Sequence, residues 1–393
     1  MKLLLTGAIC GAMAMGALTA QRAPVLDHTL TGRWTGSAGL LFSREAARLA
    51  VTSGSEAERR ISIWDTGSGR LVSTIDPGGR GVAAQFSPGG KCLATSARGG
   101  EAGIWDTGSG KSVLPSGFDD ILFDSTGSTA LVQSAGVTRL VRLGEADEGK
   151  PVAISQAVGS GNRFLGVTRE GAVQAWQWSP LALRAELGRL SGGTLIQRSD
   201  SSPDGCLVIT STASPPKEVQ LWDVCHGRGL GTVTGNPFFY DRAALTPDAS
   251  LLLTAGDGLV RLCPIGSSTA PATVKIAGTV AAASPGASRL AVWTGNGLEL
   301  RDSGKGQLIA KLTGFEGRPA VRFSPDGRWL VTVVEFALAR LWDARSGKEV
   351  ATFGAAGQSK SVNLAVFSPE GARLALALGD GTVELWSLDP LRP

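Results

Sequence analysis

The strongest constraint on this chain is a tripeptide that returns at a nearly fixed interval. Leu341-Trp342-Asp343 closes a run of alternating apolar residues, and a Ser346-Gly347-Lys348 turn follows it. Ile63-Trp64-Asp65, Ile104-Trp105-Asp106, Leu221-Trp222-Asp223 and Leu385-Trp386-Ser387 are clear copies. Ala175-Trp176-Gln177, Leu262-Cys263-Pro264 and Leu300-Arg301-Asp302 are decayed ones. Counting by the Trp slot, nine anchors fall at 64, 105, 141, 176, 222, 263, 301, 342 and 386. Their mean spacing is about 40 residues, enough for four short strands and their turns. A unit of that size cannot bury its own apolar faces, so successive copies must stack.

A second signature lies upstream of several anchors: Phe86-Ser87-Pro88-Gly89-Gly90, Ser202-Pro203-Asp204-Gly205, Thr246-Pro247-Asp248, Phe323-Ser324-Pro325-Asp326-Gly327 and Phe367-Ser368-Pro369-Glu370-Gly371. Proline presets the backbone at the second position of a tight turn and glycine closes it, so each copy reads as a hairpin between two strands. Apolar runs such as Trp329 to Val333 follow, then a short loop such as Gly379-Asp380-Gly381, then the anchor strand.

The pairing of Ser-Pro-Asp-Gly with Leu-Trp-Asp at this spacing resembles the WD40-repeat family, over about residues 24–393. The resemblance implies an all-β fold: a single closed β-propeller of four-stranded antiparallel blades. The expected count is seven to nine, with nine anchors visible. It also implies that Ala23 to Leu30 complete the sheet of the last repeat, which would leave no open edge. Two departures stand out. The family's Gly-His pair is replaced by Gly32-Arg33 and Gly314-Phe315, so the hydrogen-bonded network built on that His is expected to be missing. Thr107 to Gln177, the third and fourth repeats, are expected to give thin or irregular blades.

Composition agrees with many short strands, since the 393 residues include 54 Gly and 19 Pro but only 18% charged side chains. The net charge of +4 is spread without a Lys/Arg run, so no specific nucleic-acid binding is expected. The five cysteines show neither Cys-x-x-Cys nor zinc-ligand spacing, and there are only two histidines, His28 and His226, so no metal or cofactor is expected. Cys92 and Cys206 read as occupants of one slot in different repeats, and therefore as distant from each other.

Between Lys2 and Arg22 there is no charge, and Leu3 to Ala20 is apolar and small. Residues 1–20 read as a signal peptide removed near Gln21, which would make residues 21–393 an exported or periplasmic propeller with no integral membrane segment. The alternative lays Leu3 to Gly7 over Leu251 to Ala255, so that the chain opens inside a partial blade and is cytoplasmic.

Most features that suggest chemistry have a structural explanation. The recurrent Trp is expected to pack between sheets and the Asp after it to order the next turn. Gly67-Ser68-Gly69 and Gly108-Ser109-Gly110 are turns, since no helix follows to aim amides at a phosphate. Asp119-Asp120 and Glu145 to Glu148 are expected to be solvated charges. His28 falls on an outer strand and His226 in a turn, neither with a partner that sequence nominates. No nucleophile, base and orienting group converge, so an enzyme is not expected.

One set of loops departs from this pattern. The connections between repeats hold Arg33 and Trp34, then Phe238, Phe239 and Tyr240, then Phe315 and Arg318. Aromatic and Arg side chains on loops make interface hot spots. The expected function is therefore a monomeric, non-catalytic scaffold for a protein or peptide. The alternatives are a propeller portion of a larger sensor or kinase chain, and a quinoprotein-like propeller enzyme.

Overall fold

The computed structural model describes residues 23–31, 39–54, 59–77, 80–98, 103–114, 118, 120–134, 136–143, 149–159, 161–191, 195–202, 204–212, 219–233, 242–245, 251–256, 259–264, 272–276, 278–285, 288–315, 317–334, 338–355 and 360–391. The segment at residues 1–20, and with it both readings of the N-terminus, lies outside them. The described residues hold no α-helix; they form nine four-stranded antiparallel sheets. Eight sheets take their strands consecutively. The ninth joins Val362–Phe367, Arg373–Leu378 and Thr382–Ser387 to the opening strand Val25–Thr31, which pairs outside the last of them.

All nine anchors lie in the third strand of their sheets, from Arg59–Asp65 in the first to Thr382–Ser387 in the ninth. The third and fourth repeats, Asp120–Phe123 to Lys150–Val152 and Gln156–Val158 to Ala182–Arg189, have all four strands, but each has a three-residue strand, and the fourth sheet shifts register twice between its last two strands. Loss of the Trp-Asp pair does not cost them a strand, because buried Ala130, Leu131 and Val132, and Phe164, Leu165 and Val167, still supply apolar faces.

The turn between first and second strands explains the Ser-Pro-Asp-Gly signature. The N–H of Trp329 donates to Ser324 Oγ at 2.9 Å, and Gly327, at φ 72°, closes the turn onto the Ser324 carbonyl. The same serine bond recurs at Ser43/Arg48, Ser87/Cys92, Ser202/Leu207, Ser284/Arg289 and Ser368/Arg373, all at 2.9–3.0 Å. This offset puts Cys92 in register with Leu207, so Cys206 matches Lys91 and not Cys92, a one-residue correction.

Between sheets, the anchor Trp packs on the preceding sheet. Trp342 clusters with Leu298 and Leu300 of the seventh, Trp222 with Leu165 and Val173 of the fourth, and Trp64 with Val383 and Leu385 of the ninth. The indole N–H donates to a buried threonine of the second strand in three sheets: Trp105 to Thr95, Trp222 to Thr210 and Trp342 to Thr332, at 2.8–3.0 Å. The missing Gly-His pair therefore leaves this Trp–Thr link intact. Opposite the anchor, the third and fourth strands slip by one residue in six sheets, a β-bulge beside the indole in five of them and beside Arg301 in the seventh.

Candidate functional site

In an antiparallel four-strand meander, the first-to-second and third-to-fourth turns share one end of the strands. The second-to-third and sheet-to-sheet connections share the other.

At the connection end, Phe315 and Arg318 lie between Leu308–Leu312 of the seventh sheet and Ala320–Phe323 of the eighth. Both converge on Trp293, the penultimate residue of a second strand. Phe315 meets its ring edge-on at 6.3 Å between centroids, and the Arg318 guanidinium stands 5.8 Å over it. Phe315 is half-buried and Arg318 exposed. Trp293 was not singled out from the sequence, because within Arg289–Thr294 nothing but the following turn distinguishes it from core. Arg33, Trp34, Phe238, Phe239 and Tyr240 lie outside the described residues.

At the turn end, the Asp after each Trp does what the sequence suggests. Asp65 Oδ1 accepts the amide and hydroxyl of Ser68 at 2.9 and 2.8 Å; Asp106 and Asp343 do the same with Ser109 and Ser346. The serine hydroxyls, then the amides, hold the Asp65 and Asp106 carboxyls below the ordinary aspartate value. At Asp223 burial pushes the carboxyl up, but the amide and imidazole of His226, then Arg228, outweigh it and the net direction is down. His226 therefore has a partner three residues back, with Nδ1 2.9 Å from both Asp223 oxygens. Next to it Cys225 forms a disulfide with Cys206, 19 residues away, which spacing rules for metal sites had no means of showing. Cys92 stays a free thiol that burial pushes up.

Asp120 is exposed, as expected; Asp119 and residues 145–148 lie outside the described residues. Among the described residues no group of three or more His, Cys, Asp or Glu converges as a metal site, and no helix is long and apolar enough to cross a membrane.

No family model matches the chain. An uncharacterized WD repeat-containing protein of Deinococcus radiodurans is 38% identical over 93 residues, which is 21% of this chain and 35% of the relative. WD repeat-containing protein SL1-17 of Schistosoma mansoni is 29% identical over 186 residues, 45% of this chain and 60% of the relative. The chain thus matches less than two thirds of the length of either curated relative. A crystal structure of the computationally designed protein Ika8 aligns with a TM-score of 0.46 at 18% identity, over 91% of this chain and 98% of that one. In architecture the described residues are all-β, nine four-stranded antiparallel sheets consistent with the blades of a propeller, and the chain's likeness to WD repeat proteins extends over a segment. Such propellers generally serve as protein-interaction scaffolds.

Proposed function

We propose that the chain is a non-catalytic, monomeric scaffold that holds a protein or peptide on the connection end of its sheets. The observation that carries this reading is the cluster of Trp293, Phe315 and Arg318. A guanidinium stacked on an indole and left exposed is preorganised, so it meets a partner at little cost in side-chain freedom. Arg33, Trp34, Phe238, Phe239 and Tyr240, in other connections between repeats along the sequence, are proposed as members of the same binding surface.

Affinity capture from native extract tests the proposal. Proteins held by the wild-type chain should be lost when Phe239 and Tyr240 are both replaced by Ala, with each change costing on the order of 2 kcal/mol in binding and leaving folding intact. Arg318→Ala should weaken the same set. Recovery of every partner at full yield from these variants would remove the patch from consideration.

A further inference from the structure

The Cys206–Cys225 disulfide joins the two turns at one end of the fifth sheet, Ile196–Ser201 to Arg228–Val233, and comparison with the other sheets shows what it adds. Beside it the amide of Val224 donates to the Cys206 carbonyl at 2.8 Å. The same backbone bond ties the same two turns in seven other sheets, among them Thr66 to Ala47, Ala344 to Arg328 and Leu388 to Ala372. No other sheet has two cysteines to place there. The turns are thus closed without sulfur, and the disulfide is an additional link.

Elsewhere an additional link is made by other chemistry. In the first and second sheets the residue that donates the amide is a threonine, and its hydroxyl also crosses to the opposite turn. Thr66 Oγ1 donates to the Ala46 carbonyl, and Thr107 Oγ1 to the Gly90 carbonyl at 2.7 Å. The fifth sheet has Val224 in that place, which has no hydroxyl, and the disulfide spans the two turns instead. The eighth and ninth sheets have Ala344 and Leu388, whose side chains supply no hydrogen bond, and both sheets are complete. A sheet therefore stands with or without a side-chain link between its turns. In the fifth that link is reducible.

The linked turn is the one the fourth sheet holds. Arg163, the first residue of Arg163–Val167, donates through Nη1 to the Cys225 carbonyl, as Arg373 of the ninth sheet reaches Thr66 of the first. Gly227, at φ 67°, lies against Ala185 of the fourth sheet, where a Cβ would come within 2.9 Å. Deeper between the same sheets, Trp222 clusters with Leu165 and Val173. Both disulfide cysteines are half-buried, unlike the buried Cys92, so an attacking thiolate has access to them.

We infer that the Cys206–Cys225 disulfide is a redox-sensitive lock on the turn-end junction of the fourth and fifth sheets. A small thiol such as glutathione opens it. Thiolate attack on one sulfur forms a mixed disulfide and frees the other cysteine; a second glutathione displaces the first, so the chain gains two thiols and the reagent leaves as its own disulfide. Oxidised, the turn held by Arg163 is linked twice; reduced, it is linked once, like those of the eighth and ninth sheets. The lock lies at the opposite end of the strands from the proposed partner face and does not rest on it.

Reduced glutathione added to the folded full chain tests it. Cys206 and Cys225 should both become open to alkylation by iodoacetamide, read by peptide mass mapping. Amide exchange at Val224 and His226 should then rise by about tenfold, while Leu207–Thr212 and Arg163–Val167 keep the rates of the oxidised chain. Oxidised glutathione should restore the first pattern, and Cys206→Ser/Cys225→Ser should show the reduced pattern without any reagent. Sulfurs that react only in denaturant overturn the inference, and so does a reduction that leaves exchange unchanged. Faster exchange throughout the fifth sheet, or a double variant that fails to fold, also overturns it, because the bond would then be a requirement of the sheet and not a lock on its end.

Discussion

The imidazole Nε2 of His28 stands 3.0 Å from the carbonyl oxygen of Gly67, so the opening strand of the chain is tied to the first sheet although it is paired into the ninth. The contact repeats one found between ordinary neighbours. Gly110, in the third-to-fourth turn of the second sheet at φ 70°, lies against the Thr74 carbonyl on the fourth strand of the first, where a Cβ would come within 2.5 Å. Gly69, in the equivalent turn of the first sheet, lies against His28. Val25–Thr31 thus does for the ninth sheet what a fourth strand does elsewhere. Arg373 reinforces the junction, with Nη1 donating to Thr66 Oγ1 at 2.8 Å and Nε 3.8 Å from Asp27.

The Trp–Thr bonds are expected to matter individually. Thr332 is 1% exposed and accepts from Trp342 Nε1 at 3.0 Å. Thr332→Val keeps the shape but orphans the indole N–H, a loss of about 1–3 kcal/mol. Trp342→Ala also opens a cavity and is expected to cost about 3–5 kcal/mol. Urea midpoints of the two variants should fall in that order.

Arg301 stands in a Trp slot and keeps the slot's role as a donor. It contacts Glu299 through Nε at 2.8 Å and Nη2 at 2.6 Å, much as Trp386 donates to Glu384 at 2.9 Å. Glu299 is 2% exposed, so Arg301→Ala strands a buried carboxylate and should cost about 3–5 kcal/mol. The double variant Glu299→Leu/Arg301→Leu should be markedly more stable than Arg301→Ala in the same denaturation series.

Acid should unfold the turn end through its depressed aspartates. Asp65, Asp106 and Asp223 titrate lower in the folded chain than unfolded, so their contribution is fully present above the ordinary aspartate value of about 3.9 and is lost as pH falls through the folded value. Asp106→Asn should therefore lower stability at pH 7, and its deficit relative to wild type should shrink below about pH 4. Chemical denaturation at neutral and acid pH measures both.

Repetition made the fold legible: the Trp slot marks third strands, and Ser-Pro-Asp-Gly marks the first hairpin because its serine and glycine make the same bonds each time. Where the pattern broke, sequence underrated the fold, since Arg301 replaces an indole by chemistry rather than by resemblance. The third and fourth sheets stand on plain apolar runs. The Cys206–Cys225 bond was not legible from cysteine spacing, while the slot shared by Cys92 and Cys206 was off by one, as measuring from Ser87 and Ser202 shows. The role of Trp293 was not legible, because its partners Phe315 and Arg318 come from a connection more than twenty residues further along the chain.

Amide hydrogen exchange on the intact chain tests most directly whether the opening strand joins the last sheet to the first. With Val25–Thr31 in place, Thr382–Ser387 is an interior strand, paired on both sides like Ala339–Asp343. The account predicts comparable protection for these two strands and clear protection across residues 25–31. Fast exchange at residues 25–31, with Thr382–Ser387 exchanging as an edge strand, would contradict it.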